Sequence, residues 1–207
     1  MVFASDAEGA QDFDAGGYGI VVAAADSKIV ERMWDAGTKP GVAVAKPGQL
    51  QKVLERGPET LQPHLPVSFI ERGWIDSEAT WVPVESGRWK KDDHIVLGEG
   101  RAALKVLSRL AVLPGAHRSK VLSLEDNMAF AGAAAKGRST AGPVNYLLRR
   151  RCALSSATEI RMHLPWVETE RMPADGLSRM RGCGQDSEGH NAPVPKVDAR
   201  PARNIQN

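Results

Sequence analysis

Cysteine is scarce in this 207-residue chain. Cys152 and Cys183 are its only two, too few for a four-ligand zinc site or a disulfide framework, so both thiols are expected to be reduced and the fold to rest on packing. Long apolar runs are missing as well. No stretch approaches the roughly 20 residues that cross a bilayer, and Asp6 and Glu8 break up the amino terminus where a signal peptide would need its apolar segment. An intracellular protein without a membrane partner is expected. An excess of charge of one sign is also lacking: Lys plus Arg total 27 and Asp plus Glu 25. That margin does not announce a nucleic-acid binder, although it lets an acidic metal site and a basic groove coexist. What remains is 42% hydrophobic and 25% charged residues, an ordinary globular composition over a length that suits one domain with a real core.

The clearest pattern lies in residues 121 to 137, VLSLEDNMAFAGAAAKG. Val121, Leu122 and Leu124 supply a central strand, Asp126 and Asn127 stop it, and Met128 to Ala135 has a helix former at nearly every position. Asp126 therefore falls at the carboxyl end of a strand, the edge of an open α/β sheet where ligands bind. Asp-Asn is also an ordinary helix cap, so the pair alone decides nothing, and the question is whether other acids reach the same edge.

The chain opens on a short strand, Met1 to Ala4, leading to Asp6, and a Gly-rich turn joins it to a second strand, Tyr18 to Ala25, in an antiparallel hairpin. A third strand is expected over Ala79 to Val84, and a helix from Leu97 to Leu113 that buries Ala103, Val106 and Leu110. Glu99 projects from the buried side at the start of that helix. A first-turn acid is favoured by the helix dipole whatever its function. Pro143 opens a further helix with Val144, Leu147, Leu148 and Leu154 inward and Arg149 to Arg151 elsewhere, and Glu159 to Trp166 reads as a strand that carries His163. Pro173 then starts a short helix with Asp175 in its first turn. Residues 35 to 80 are broken by prolines and read as an insertion or a partner surface, with a helix at Gln49 to Arg56 and a strand at Val67 to Ile70. Residues 181 to 207 are polar and Pro-rich and read as a disordered tail.

Four acids thus head for one edge. Phe3-Ala4-Ser5-Asp6-Ala7, Gly87-Arg88-Trp89 with His94-Ile95 and Leu97-Gly98-Glu99, Leu124-Glu125-Asp126-Asn127 with Ala129, Asn145, and the closing Pro173-Ala174-Asp175-Gly176-Leu177-Ser178-Arg179 follow in an order that resembles the ribonuclease H domain of retrotransposon-type reverse transcriptases. The resemblance covers residues 1 to 180 apart from 35 to 80. It implies a ribonuclease H-like α/β fold, a mixed five-stranded sheet with helices on both faces. It also implies that Asp6, Glu99, Asp126 and Asp175 bind two magnesium ions, for which manganese can substitute, with Asp6 bridging the pair. Hard divalent cations want several carboxylate oxygens, and two of them about 4 Å apart serve both the attacking water and the departing ribose oxygen of a phosphodiester. The implied substrate is the RNA strand of an RNA–DNA hybrid, chosen through its 2′-hydroxyls, with Asn127, Arg138 and Asn145 as nucleic-acid contacts and a reverse transcriptase domain encoded upstream as partner.

Three departures stand beside the resemblance. Gly98 and Gly100 flank Glu99 where bulky apolar residues are usual, at up to ~1 kcal/mol of helix stability each, and are expected to loosen the helix start. Asp6 and Glu99 are far apart in sequence because of the 35 to 80 segment. His163 sits on a strand, where it is expected to be structural. The rival readings are an inactive ribonuclease H-like module that binds nucleic acid or protein, an exonuclease or integrase core of the same broad fold, and a purely structural domain.

Overall fold

The computed structural model describes residues 1–9, 16–36, 73–91 and 93–179. The expected helix at 49–56, the strand at 67–70 and the tail beyond 180 lie outside them. Among the described residues five strands form one sheet in the order β3-β2-β1-β4-β5. β1 (Val2–Ala7), β2 (Gly17–Ala23) and β3 (Val82–Arg88) are antiparallel neighbours, while β4 (Lys120–Leu124) and β5 (Arg161–His163) run parallel to β1. The mixed five-stranded α/β architecture that the resemblance implies is therefore present.

β1 and β2 are buried almost throughout, because each has a paired neighbour on both edges and helices above and below. Period-two alternation sends their side chains to two cores. Tyr18 and Ile20 join one core with Ala102, Ala103, Val106, Leu107 and Leu110 of α2 (Ile95–Ala111), Phe130 of α3 (Met128–Lys136) and Val144 and Leu148 of α4 (Gly142–Thr158). Val2, Ala4, Val21, Ala23, Leu122 and Leu124 join the other, with Met33 of α1 (Ser27–Ala36), Trp74 and Ile75 of a single π-helical turn, and Ala174 and Leu177 around α5 (Asp175–Ser178). Helices thus cover both faces, and the 73–80 end of the Pro-rich segment is anchored in a core.

Local chemistry sets the element ends. Asn127 accepts from the Phe130 N–H at 3.0 Å and caps α3, and Gly137, at φ +70°, closes that helix by donating to Ala133 and Ala134. α2 is capped by His94, whose Nδ1 accepts from Val96, so the helix begins two residues earlier than its apolar stripe suggests. β3 lies later than expected, reaching Arg88, with Trp81 just outside it. β5 is shorter, because Pro165 has no N–H for the ladder, and pairing returns only as the single bridge Glu125–Trp166.

Candidate metal centre

Register brings the first two acids level. Ala4 pairs with Leu124 in the parallel ladder, so Asp6 and Asp126 each lie two residues further along adjacent chains, one strand spacing of about 4.8 Å apart. Asp6 is still inside β1, opposite Gly19 of β2, rather than beyond the strand's end. Glu99 reaches the same place from α2. It is the fifth residue of the helix and lies outside the first turn, so the dipole that favours first-turn acids does not explain it.

The flanking glycines turn out to be contact points. A Cβ on Gly98 would stand 3.1 Å from the Cβ of Ala7, and one on Gly100 would stand 2.5 Å from the Phe130 ring. The expectation that they loosen the helix start is corrected by packing: they let α2 approach β1 and α3 closely, with Glu99 fixed between two such contacts.

Asp6, Glu99 and Asp126 each offer a carboxylate oxygen within 4.8 Å of the other two, a set that can hold a metal ion. Asp6 is 4% and Glu99 3% exposed. Burial, reinforced by Asp126 and Asp175 and opposed by the Ser178 hydrogen bond, pushes Asp6 up to about 6. Burial and then the charges of Glu125, Asp6 and Asp126 hold Glu99 far above the carboxylate range, and Asp126 is raised, chiefly by burial. Glu99 Oε2 is buried without a hydrogen-bond partner. Buried carboxylates crowded together with an unpartnered oxygen are expensive unless a cation joins them, and an all-oxygen donor set suits a hard divalent ion.

Asp175 stands apart from this trio. Its carboxylate pairs with Arg179 at 2.7 Å, yet it is close enough to raise both Asp6 and Asp126. The three other expected site residues lie at the two ends of α3 and in α4. Asn127 spends its oxygen on the α3 cap. Asn145 holds the loop before α4, accepting from Ser139 N–H at 2.8 Å and donating to Ser139 O at 2.6 Å. Arg138 is exposed just past the end of α3. The Asn127 oxygen and both polar atoms of the Asn145 amide are thus engaged within the protein, while Arg138 is exposed.

Sequence reasoning missed three neighbours of the trio. The Ser178 hydroxyl donates to Asp6 Oδ2, and the signal was there: Ser178 falls three residues after Asp175, on the same turn of helix. A side-chain hydrogen bond from Thr169 favours the charged form of Asp126, and nothing in its 3-10 turn marked it. Glu125 is fully buried with both oxygens unpartnered and is the strongest charge acting on Glu99. Strand alternation puts it on the side of Val121 and Ser123, toward α2. His163 is a strand residue beside Trp34, ring centroids 5.2 Å apart, and burial with Arg151 nearby pushes it down to about 4.

No family model matches the chain, and no curated protein matches it. Among the described residues no helix is long and apolar enough to cross a membrane.

Proposed function

We propose that the protein is a metal-dependent ribonuclease H of retroelement type that hydrolyses the RNA strand of RNA–DNA hybrids. The observation that carries the reading is the meeting of Asp6, Glu99 and Asp126 within 4.8 Å, from two adjacent strands and a helix, in the order in which the resemblance presents them. Asp6, Glu99 and Asp126 would hold magnesium, with Asp175 a fourth ligand on release from Arg179. Two bound ions would supply activation of the attacking water and stabilisation of the departing ribose oxygen.

The chain's own groups do the positioning. Ser178 fixes Asp6 by donating to one oxygen, leaving the other for the cation side. Gly98 and Gly100 hold the helix that carries Glu99 against β1 and α3. Asn127 starts α3 directly after Asp126, so the strand-to-helix turn is fixed. Trp166 Nε1 donates to the Asp126 carbonyl at 2.8 Å and steadies the same turn.

One observation favours an inactive module instead: Asp175 is engaged by Arg179. Hybrid cleavage together with calorimetry of magnesium binding separates the two. The protein with magnesium is expected to cut the RNA of a labelled hybrid, and Asp126→Asn is expected to lower the rate by at least about 100-fold, the scale on which losing one preorganised charge-stabilising group acts. Cleavage that survives in Asp126→Asn removes the proposed centre, and a wild-type protein that neither cuts nor binds magnesium leaves the inactive module.

A further inference from the structure

We propose that the groove between α2 and α4 binds a strand of single-stranded nucleic acid, away from the metal centre. The groove encloses about 380 Å³. Its cations are Arg101 and Lys105 from α2 and Arg150 from α4, and no acid lines it. Leu104, Leu147 and Trp89 give it an apolar lining. Tyr146, on the α4 wall, is 60% exposed.

Each part has a physical reason to be where it is. The Trp89 ring lies against Tyr18, centroids 4.6 Å apart, with the Arg101 guanidinium 6.0 Å from its own centroid. Arg101 is tethered by Asp93, and Lys105 by Glu85 and by the Tyr18 ring 4.4 Å away. Those acids hold the two cations in place and offset their charge, so the groove's uncompensated cation is Arg150. Arg150 is exposed and makes no hydrogen bond or ion pair among the described residues. An exposed phenol ring beside an uncompensated guanidinium, over an apolar floor, matches the two needs of a flexible polynucleotide: a face for a base to stack on and a charge for the phosphate next to it. A surface patch of cations alone would need neither the floor nor the ring.

Position adds direction. Arg101 follows Glu99 by two residues, a rise of about 3 Å but a rotation of about 200°, so the groove runs along the side of α2 turned away from the acidic centre. This inference does not need the centre to be a nuclease, since binding here is expected without metal.

The test is fluorescence anisotropy of a short labelled oligothymidylate with the full chain in EDTA. Binding is expected to weaken as salt rises, Tyr146→Ala to cost about tenfold in affinity through the lost stack, and Arg150→Ala to weaken binding and lower the salt slope by about one. Arg149→Ala, a neighbouring exposed cation that does not line the groove, is expected to cost less than Arg150→Ala, and matched circular-dichroism melts check that the variants fold. Wild-type affinity in both Tyr146→Ala and Arg150→Ala overturns the proposal. So does displacement of the oligonucleotide by polyglutamate as effective as displacement by unlabelled oligothymidylate, which would make the groove a seat for acidic peptides. Neither result touches the nuclease reading, and loss of cleavage in Asp126→Asn does not touch this one.

Discussion

Two acidic places in this domain border the same helix and have opposite fates. At one, Glu85 of β3 accepts from the Tyr18 hydroxyl at 2.6 Å and from Lys105 at 3.0 Å, and Arg109 completes the shell. Burial works against its charge, but the three donors outweigh it and take the carboxyl down to about 2. At the other, Asp6, Glu99 and Asp126 crowd together with only uncharged donors, Ser178 to Asp6 and Thr169 to Asp126, and an unpartnered oxygen on Glu99, and all three are raised. α2 supplies Lys105 and Arg109 to the first place and a third acid to the second. The protein can neutralise a half-buried acid when neutralisation is all that is needed, so an edge that concentrates acids without doing so is built for a cation from outside.

The largest expected effect follows from the sign of the shifts. Asp6 has a folded pKa of about 6 against an ordinary 3.8. Its stabilising contribution is therefore complete below pH 3.8 and lost as pH rises through 6, on the order of 3 kcal/mol in metal-free protein. Glu85 runs the other way: its contribution is present above pH 4.5 and lost as pH falls toward 2. In urea unfolding with EDTA, the advantage of Asp6→Asn over wild type is expected to grow from pH 4 to pH 6, while the deficit of Glu85→Gln shrinks below pH 4.5. Parallel pH profiles for the two variants would break the comparison.

Magnesium should close the gap between the two places. Wild type at pH 7.5 is expected to gain about 2–3 kcal/mol at a magnesium concentration near one hundred times its dissociation constant, and Asp126→Asn to gain little while being the more stable protein in EDTA. A melt in which both proteins respond equally to magnesium would place the ion elsewhere. Glu85→Gln should keep the full magnesium response and lose about 1–2 kcal/mol at neutral pH, the cost of weakening three charge-assisted or hydroxyl bonds at a partly exposed site.

How far all this could be read from the chain follows the same division. The acids at 6, 99 and 126 were legible because each lies at or beside a readable element, and period-two and 3.6-residue patterns place such residues without knowledge of contacts. The glycines at 98 and 100 were misread, since helix propensity is a local quantity and the Phe130 ring that fills the space beside Gly100 comes from another element. α1 was passed over although Ile29, Val30, Met33 and Trp34 recur at helical spacing and Asp26 caps Ile29 at 2.9 Å; the Pro-rich run that follows drew the reading toward an insertion beginning near Trp34. The Glu85 shell was invisible because Tyr18, Lys105 and Arg109 meet it only through the β2–β3 pairing and the packing of α2. Asp175 was legible as a first-turn acid, but its choice of Arg179 over the trio depends on where a one-turn helix settles on the sheet.

Ser178 gives the smallest effect and the finest test. Its hydroxyl is, among the described residues, the side-chain donor to Asp6, shared with the Asp175 carbonyl 2.8 Å away, so it orients a metal ligand without touching a cation or substrate. Groups in that position typically change metal affinity or activity by 10–100-fold. Ser178→Ala is expected to fall near the lower end, since Asp6 stays wedged between β2 and α5, and to weaken magnesium binding in calorimetry by about tenfold while the metal-free melt changes little. Because the lost hydrogen bond favoured the charged form of Asp6, the pH midpoint for magnesium binding should also move upward, and Ser178→Thr, which keeps the hydroxyl, should move it less. A Ser178→Ala protein with unaltered magnesium affinity and midpoint would reduce the hydroxyl to packing and leave Asp6 oriented by the strand alone.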